Sequence, residues 1–220
     1  MPLKELHENK LINVRYVTSF IDMYFYAFEV AEAKEKKKIK QKLLGLQKIL
    51  RAQDSYDPLL ALHYYSNKCS NMDSLAFYLG FPERILEFGK ALISQNPNDT
   101  VISDKVASTC SDLSFHFLQN RKYKFAVPLV ELAIQADSTY EYAYSNLPLA
   151  YIFNNQYDKA VEIYKNWKDK PFESESNYET FREVFLLDIN ELESQGIMHP
   201  DFAKIRALLQ EESVVPTITE

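Results

Sequence analysis

An all-α fold is predicted for this chain by three observations. Every apolar pattern recurs at spacings of three and four residues, and none alternates over the length of a strand. The stretch from Ser111 to Trp167 repeats itself at a constant offset, pairing Ser111 with Ser145, Leu113 with Leu147, Asn120 with Asn154, Tyr123 with Tyr157, Ala126 with Ala160 and Val127 with Val161. Only four glycines occur in 220 residues, too few for a β-rich fold with many tight turns.

A period of about 34 residues, with two amphipathic helical patterns in each unit, is the mark of the tetratricopeptide repeat. The chain resembles that family here, most strongly over residues 108–171. Two antiparallel helices in such a unit need a small residue where their backbones approach and large apolar residues around it. Ala126 and Ala160 are the small residues; Leu113, Phe117, Tyr123, Val127 and Val130 surround the first, and Leu147, Tyr151, Tyr157, Val161 and Tyr164 the second. The sequence departs from the family pattern at Ser114 and Pro148, where glycine or alanine is usual, and at Cys110, where an aromatic is usual. Pro148 lacks a backbone donor, so its helix either begins near Asn146 or is kinked, and Pro128 poses the same question for the helix before it. The resemblance implies a right-handed α-α superhelix, a TPR-like stack of antiparallel helical hairpins. An N-terminal helical hairpin and a C-terminal capping helix pair would flank it.

In chain order, 1–220 reads as a single all-helical domain. Residues 1–54 form the N-terminal hairpin. Its first helix, from about Leu3 to Ala33, turns Val14, Val17, Ile21, Tyr24 and Phe28 to one face, widened by Phe20, Met23 and Ala27. Its second, Lys34 to Arg51, carries the stripe Ile39, Leu43, Leu46 and Leu50. Residues 57–100 read as a degenerate repeat. Asp57-Pro58 opens one helix, Asn71 to Gly80 holds another, and Pro82 starts a third that stops at Asn96-Pro97-Asn98-Asp99. Residues 104–171 hold the two clear repeats. Residues 175–211 are the capping helices, one from about Ser176 to Ser194 and one from His199-Pro200-Asp201 to about Gln210, and 213–220 is a frayed tail.

Charge and composition narrow the function classes. The net charge is −6, a poor match for a phosphate backbone. Eight basic residues against one acidic give Lys34–Arg51 a charge of +7 and leave −13 for the rest. No arginine-and-aromatic interleaving accompanies those lysines, so they read as a solvated face and no nucleic-acid partner is expected. No signal peptide is read at the N-terminus, and the apolar run Tyr16–Val30 is interrupted by Asp22 and Glu29 and is too short to span a bilayer, so the protein is expected to be cytoplasmic with no membrane partner. Cys69 and Cys110 have no metal or disulfide spacing and read as small buried hydrophobes. His7, His63, His116 and His199 are scattered, and no glycine-rich phosphate loop, nucleophile elbow or metal-binding histidine pair occurs, so neither catalysis nor a metal nor a cofactor is expected.

The resemblance implies a non-catalytic scaffold that binds a protein, a peptide or a partner helix on the concave face of the stack. Carrying over the family's inner positions selects Ser108, Ser111, Phe115 and Gln119 in one unit and Tyr142, Ser145, Leu149 and Phe153 in the next. The lysines and asparagine with which some family members clamp an acidic C-terminus are absent at Ser111, Phe115, Ser145 and Leu149, so an apolar segment is the expected ligand. The alternative use of Phe115, Leu149 and Phe153 is packing between helices. Alternative functions are a structural role or self-assembly as a homo-oligomer, and contact with nucleic acid through the basic helix.

Overall fold

The computed structural model describes residues 14–53, 58–71, 74–174 and 177–211. Among them every regular element is helical: α1 (Val14–Val30), α2 (Ala33–Gln53), α3 (Pro58–Ser70), α4 (Ser74–Tyr78), α5 (Phe81–Gln95), α6 (Thr100–Gln119), α7 (Ala126–Ala136), α8 (Glu141–Phe153), α9 (Tyr157–Trp167), α10 (Phe181–Ser194) and α11 (Phe202–Gln210), with a 3₁₀ turn at Tyr123–Phe125. One isolated bridge pairs Pro171 with Thr180. No helix among the described residues is long and apolar enough to cross a membrane.

The chain divides into two compact units, Met1–Asn96 and Pro97–Glu220, where the sequence reads as one domain over 1–220. The division falls at Asn96-Pro97. Proline has no backbone donor and turns the residue before it away from helical geometry. Asn96 closes α5 by donating its backbone and side-chain nitrogens to the Leu92 carbonyl. Three residues on, the Asp99 carboxylate accepts from the Val101 and Ile102 amides and caps the start of α6.

In the first unit α1 packs on α2, and α3 on α5. In the predicted stripe of α2, Leu43, Leu46 and Leu50 are buried and Ile39 is half-buried. The face of α1 differs. Among its described side chains Ile21 and Phe25 are buried, Phe25 stacking on Phe81, whereas Met23 is 66% exposed; Val14 and Val17 of the expected face lie outside them. The helix ends at Val30, three residues before the expected end at Ala33, and the Glu32 carbonyl accepts from the Glu35 and Lys36 amides to begin α2. The lysines of α2 are also less bare than composition suggests. Lys36 and Lys40 lie over the Phe28 ring, Lys40 over Tyr78 and Lys42 over Tyr24, because the rings come from neighbouring helices. Gly80 enters α5 at φ +70, a left-handed turn that a side chain would strain. The starts of the expected first helix and of the 57–100 segment, and the tail 213–220, lie outside the described residues.

The second unit is three helical hairpins in succession: α6 with α7, α8 with α9, and α10 with α11. Each hairpin contacts the next, α8 meeting α6, α7 and α10, and α9 meeting α10 and α11. The repeat reaches into the backbone. Arg121 and Asn155, one repeat apart, both take left-handed geometry, and each turn is closed by an amide bonding five residues back, Lys122 to Phe117 and Gln156 to Tyr151. Gly196 repeats the device, with Ile197 donating to Leu192. That third turn falls further from Asn155 than one repeat, which is why no third unit shows in the sequence register.

The extra length is the segment 171–180, expected as the start of a long helix near Ser176. Instead Thr180 is extended, Phe172 donates to the Glu179 carbonyl and Phe181 to that of Lys170, so α10 begins only at Phe181. The Glu141 carboxylate holds this segment to α8 by accepting from the Glu173 and Ser174 amides and the Ser174 hydroxyl. Pro128 falls in the first turn of α7, where its missing donor has no helical acceptor to satisfy. Pro148 is different: α8 starts at Glu141, not near Asn146, and runs through the proline.

Candidate functional site

The first helices of the three hairpins bring their side chains around one cavity of about 380 Å³. Asp112, Phe115, His116 and Gln119 line it from α6, and Tyr142, Ser145 and Asn146 from α8. The segment 171–180 adds Phe172 and Tyr178, and α10 adds Val184, Leu187 and Asp188. Spacings of three and four put each helix's contributors on one face. Tyr142 and Leu187 are each 38% exposed at its rim, and the Tyr142 ring meets Phe172 edge-on at 5.3 Å.

Four of the eight residues selected from sequence, Phe115, Gln119, Tyr142 and Ser145, line this cavity. The other four do not. Ser108 is half-buried and donates to the Lys105 carbonyl. Ser111 has no exposed surface, and Leu149 is 1% exposed, so neither has surface to offer a partner. Phe153 stacks on Tyr123 at 4.5 Å and meets His199 and Phe202 edge-on at 5.3 and 5.7 Å, at the start of the last helix. Packing is therefore the role of Leu149 and Phe153.

Ser111 serves the site from behind. Asn146 Nδ2, buried, donates to the Ser111 carbonyl at 3.2 Å and hydroxyl at 3.0 Å, fixing the register of α8 against α6. Asn146→Ala is expected to lower stability by about 1–2 kcal/mol, the cost of a buried hydrogen-bond pair broken on one side. Urea denaturation measures it, and an unchanged midpoint would mean that apolar packing alone sets that register.

Across the cavity Gln119 Nε2 donates to Glu191 Oε1 at 2.6 Å, joining α6 to α10. Asp188 is the electrostatic outlier. Burial, and secondarily the charge of Glu191, push its carboxyl up to about 7, against a lowering by a hydrogen bond from Ser145. Its Oδ2 is enclosed and has no hydrogen-bond partner among the described residues. The Tyr164 hydroxyl on α9 is likewise enclosed without a hydrogen-bond partner among the described residues; burial, then the charge of Asp188, raises its pKa. Burial also raises the Asp112 carboxyl, and Lys105 partly offsets this.

The chain matches no family model, no curated protein and no solved structure.

Among the described residues no group of three or more His, Cys, Asp and Glu is placed to hold a metal ion. What the cavity presents is two carboxylates, a few groups that can donate or accept, and aromatic faces. Asp112, His116, Asn146 and Asp188 were not among the residues carried over from the repeat. The acidic pair leaves no periodic trace, since Asp112 aligns with Asn146 one repeat on and Asp188 lies beyond the lengthened connection.

Proposed function

We propose that Pro97–Glu220 is a non-catalytic protein-interaction module, a stack of hairpins of tetratricopeptide type that receives a peptide or partner helix along α6, α8 and α10. The observation that carries this reading is the shared lining: the first helix of every hairpin contributes to one open cavity, and the rim offers apolar surface at Tyr142 and Leu187. Clefts lined mostly by apolar and aromatic groups with a few polar ones are where ligands bind.

Selection of a random displayed-peptide library against the full chain tests the proposal. Enriched peptides are expected to bind at least ten-fold more weakly to Leu187→Trp, which fills the rim without changing charge, while the melting temperature stays that of the wild type. Tyr142→Ser serves as a second rim variant. A library that yields no binder, or binders indifferent to both substitutions, would remove the groove from consideration.

A further inference from the structure

An enclosed carboxylate oxygen without a partner is costly, because burial removes water that nothing replaces. The cheapest remedy within a protein is a nearby cation, and among the described residues Asp188 Oδ2 has no hydrogen-bond donor of any kind. Four basic side chains of this unit are bound elsewhere. Lys168 donates to the carbonyls of Leu208 and Glu211, Arg182 to Leu209 and Asp169, Arg206 to Asn190 and Glu193, and Arg121 to Gly196. No lysine or arginine is among the described residues that line the cavity, whereas a second carboxylate, Asp112, and four aromatic rings are. Ring faces attract cations that come within about 6 Å of them. Pro97–Glu220 holds 20 acidic against 11 basic residues, a net of −9 that draws cations toward it.

We propose that this cavity takes a basic side chain, arginine or lysine, presented by the peptide that lies in the groove, with Asp188 as its enclosed counter-charge and the rings of Phe115, Tyr142, Phe172 and Tyr178 as its walls. The proposal rests on the groove reading above and adds the ligand's chemistry. Asp188 fixes the head group, and Asp112, contributed to the lining by α6, favours the same sign of charge.

The peptides enriched against the full chain provide the probe. They are expected to share an arginine or lysine, and its replacement by citrulline or norleucine, which keep the bulk and drop the charge, should weaken binding at least ten-fold. In the Asp188→Asn protein the same replacement should matter less than two-fold. Because the neutral residue is introduced on the peptide, the test holds whatever Asp188→Asn does to stability. Enriched peptides that lack a basic residue, or that keep their affinity with citrulline, would overturn the proposal; the groove reading would stand so long as Leu187→Trp still weakens them. Agmatine binding as tightly as the best peptide would overturn it too, by making a small amine the ligand. A library that gives no binder defeats the groove reading itself.

Discussion

Phe181→Ala is expected to destabilise the second unit by about 3–5 kcal/mol, the range for truncating a fully enclosed aromatic ring. Phe181 has no exposed surface. Its ring meets Trp167 at 4.8 Å, Phe172 at 4.9 Å and Phe185 at 5.8 Å, so one deletion leaves a void bounded by three elements. Its amide also closes the 171–180 segment by donating to Lys170. Trp167 is the chain's one tryptophan and stacks on Tyr144 at 4.0 Å, so its fluorescence reports this cluster directly. Urea denaturation followed by that emission should show the midpoint falling sharply, with Phe181→Leu recovering more than half of the loss. Phe172 is both a neighbour of Phe181 and a wall of the cavity, so the same substitution is expected to weaken peptide binding. A loss below about 1 kcal/mol, far under the cost of an enclosed ring, would mean that the segment is held by Glu141 alone.

The helices were legible because burial enforces a period. Leu43, Leu46 and Leu50 on α2, and the pairs of residues from Ser111 to Val161, carry the spacing of three and four that a packed face requires. Ala126 and Ala160 were legible for a related reason, since both have no exposed surface where helices meet. Rotation about a helix axis was harder to read. On α1 the residues Phe20, Met23 and Phe25 are all apolar, and groups far along the chain, the Phe81 ring and the Lys68 ammonium, meet Phe25 where it turns inward. The third hairpin was legible as a capping helix pair but not as a repeat, because the backbone pairing of Pro171 with Thr180 in its connection leaves no periodic mark. Four of the twelve residues that line the cavity followed from the repeat family's inner positions, because Phe115, Gln119, Tyr142 and Ser145 sit on the inner faces of α6 and α8. Asp188 could not follow: a lone acid in Leu187-Asp188-Ile189 reads as a surface residue until the packing of α10 encloses it.

That enclosure makes Asp188→Asn an expected stabilising substitution at pH 8, by roughly 2–4 kcal/mol. In the unfolded chain the carboxyl titrates near its ordinary 3.8; in the fold it titrates at about 7. Between those values the folded state keeps a proton that the unfolded state has released, so a rise of one pH unit removes up to about 1.4 kcal/mol of stability. Below the unfolded value both states are protonated and the group costs nothing. Above the folded value the loss is complete, and the rise from 3.8 to about 7 sets about 4 kcal/mol as its ceiling. Asparagine keeps the shape and cannot ionise, so the variant should match the wild type at pH ~3, below the unfolded value, and exceed it at pH 8. The neighbouring groups that set the position of the titration are Glu191, which raises it, and Ser145, which lowers it. Urea midpoints of both proteins at the two pH values measure the difference. A variant less stable than the wild type at pH 8 would show that the fold itself supplies the carboxylate with a partner. Stability given up at one position by an enclosed acid is what sites of binding and catalysis share. Here the penalty that asparagine relieves in the free protein is the same one that a bound cation would relieve, so the two substitutions, on the protein and on the peptide, read one electrostatic quantity from both sides.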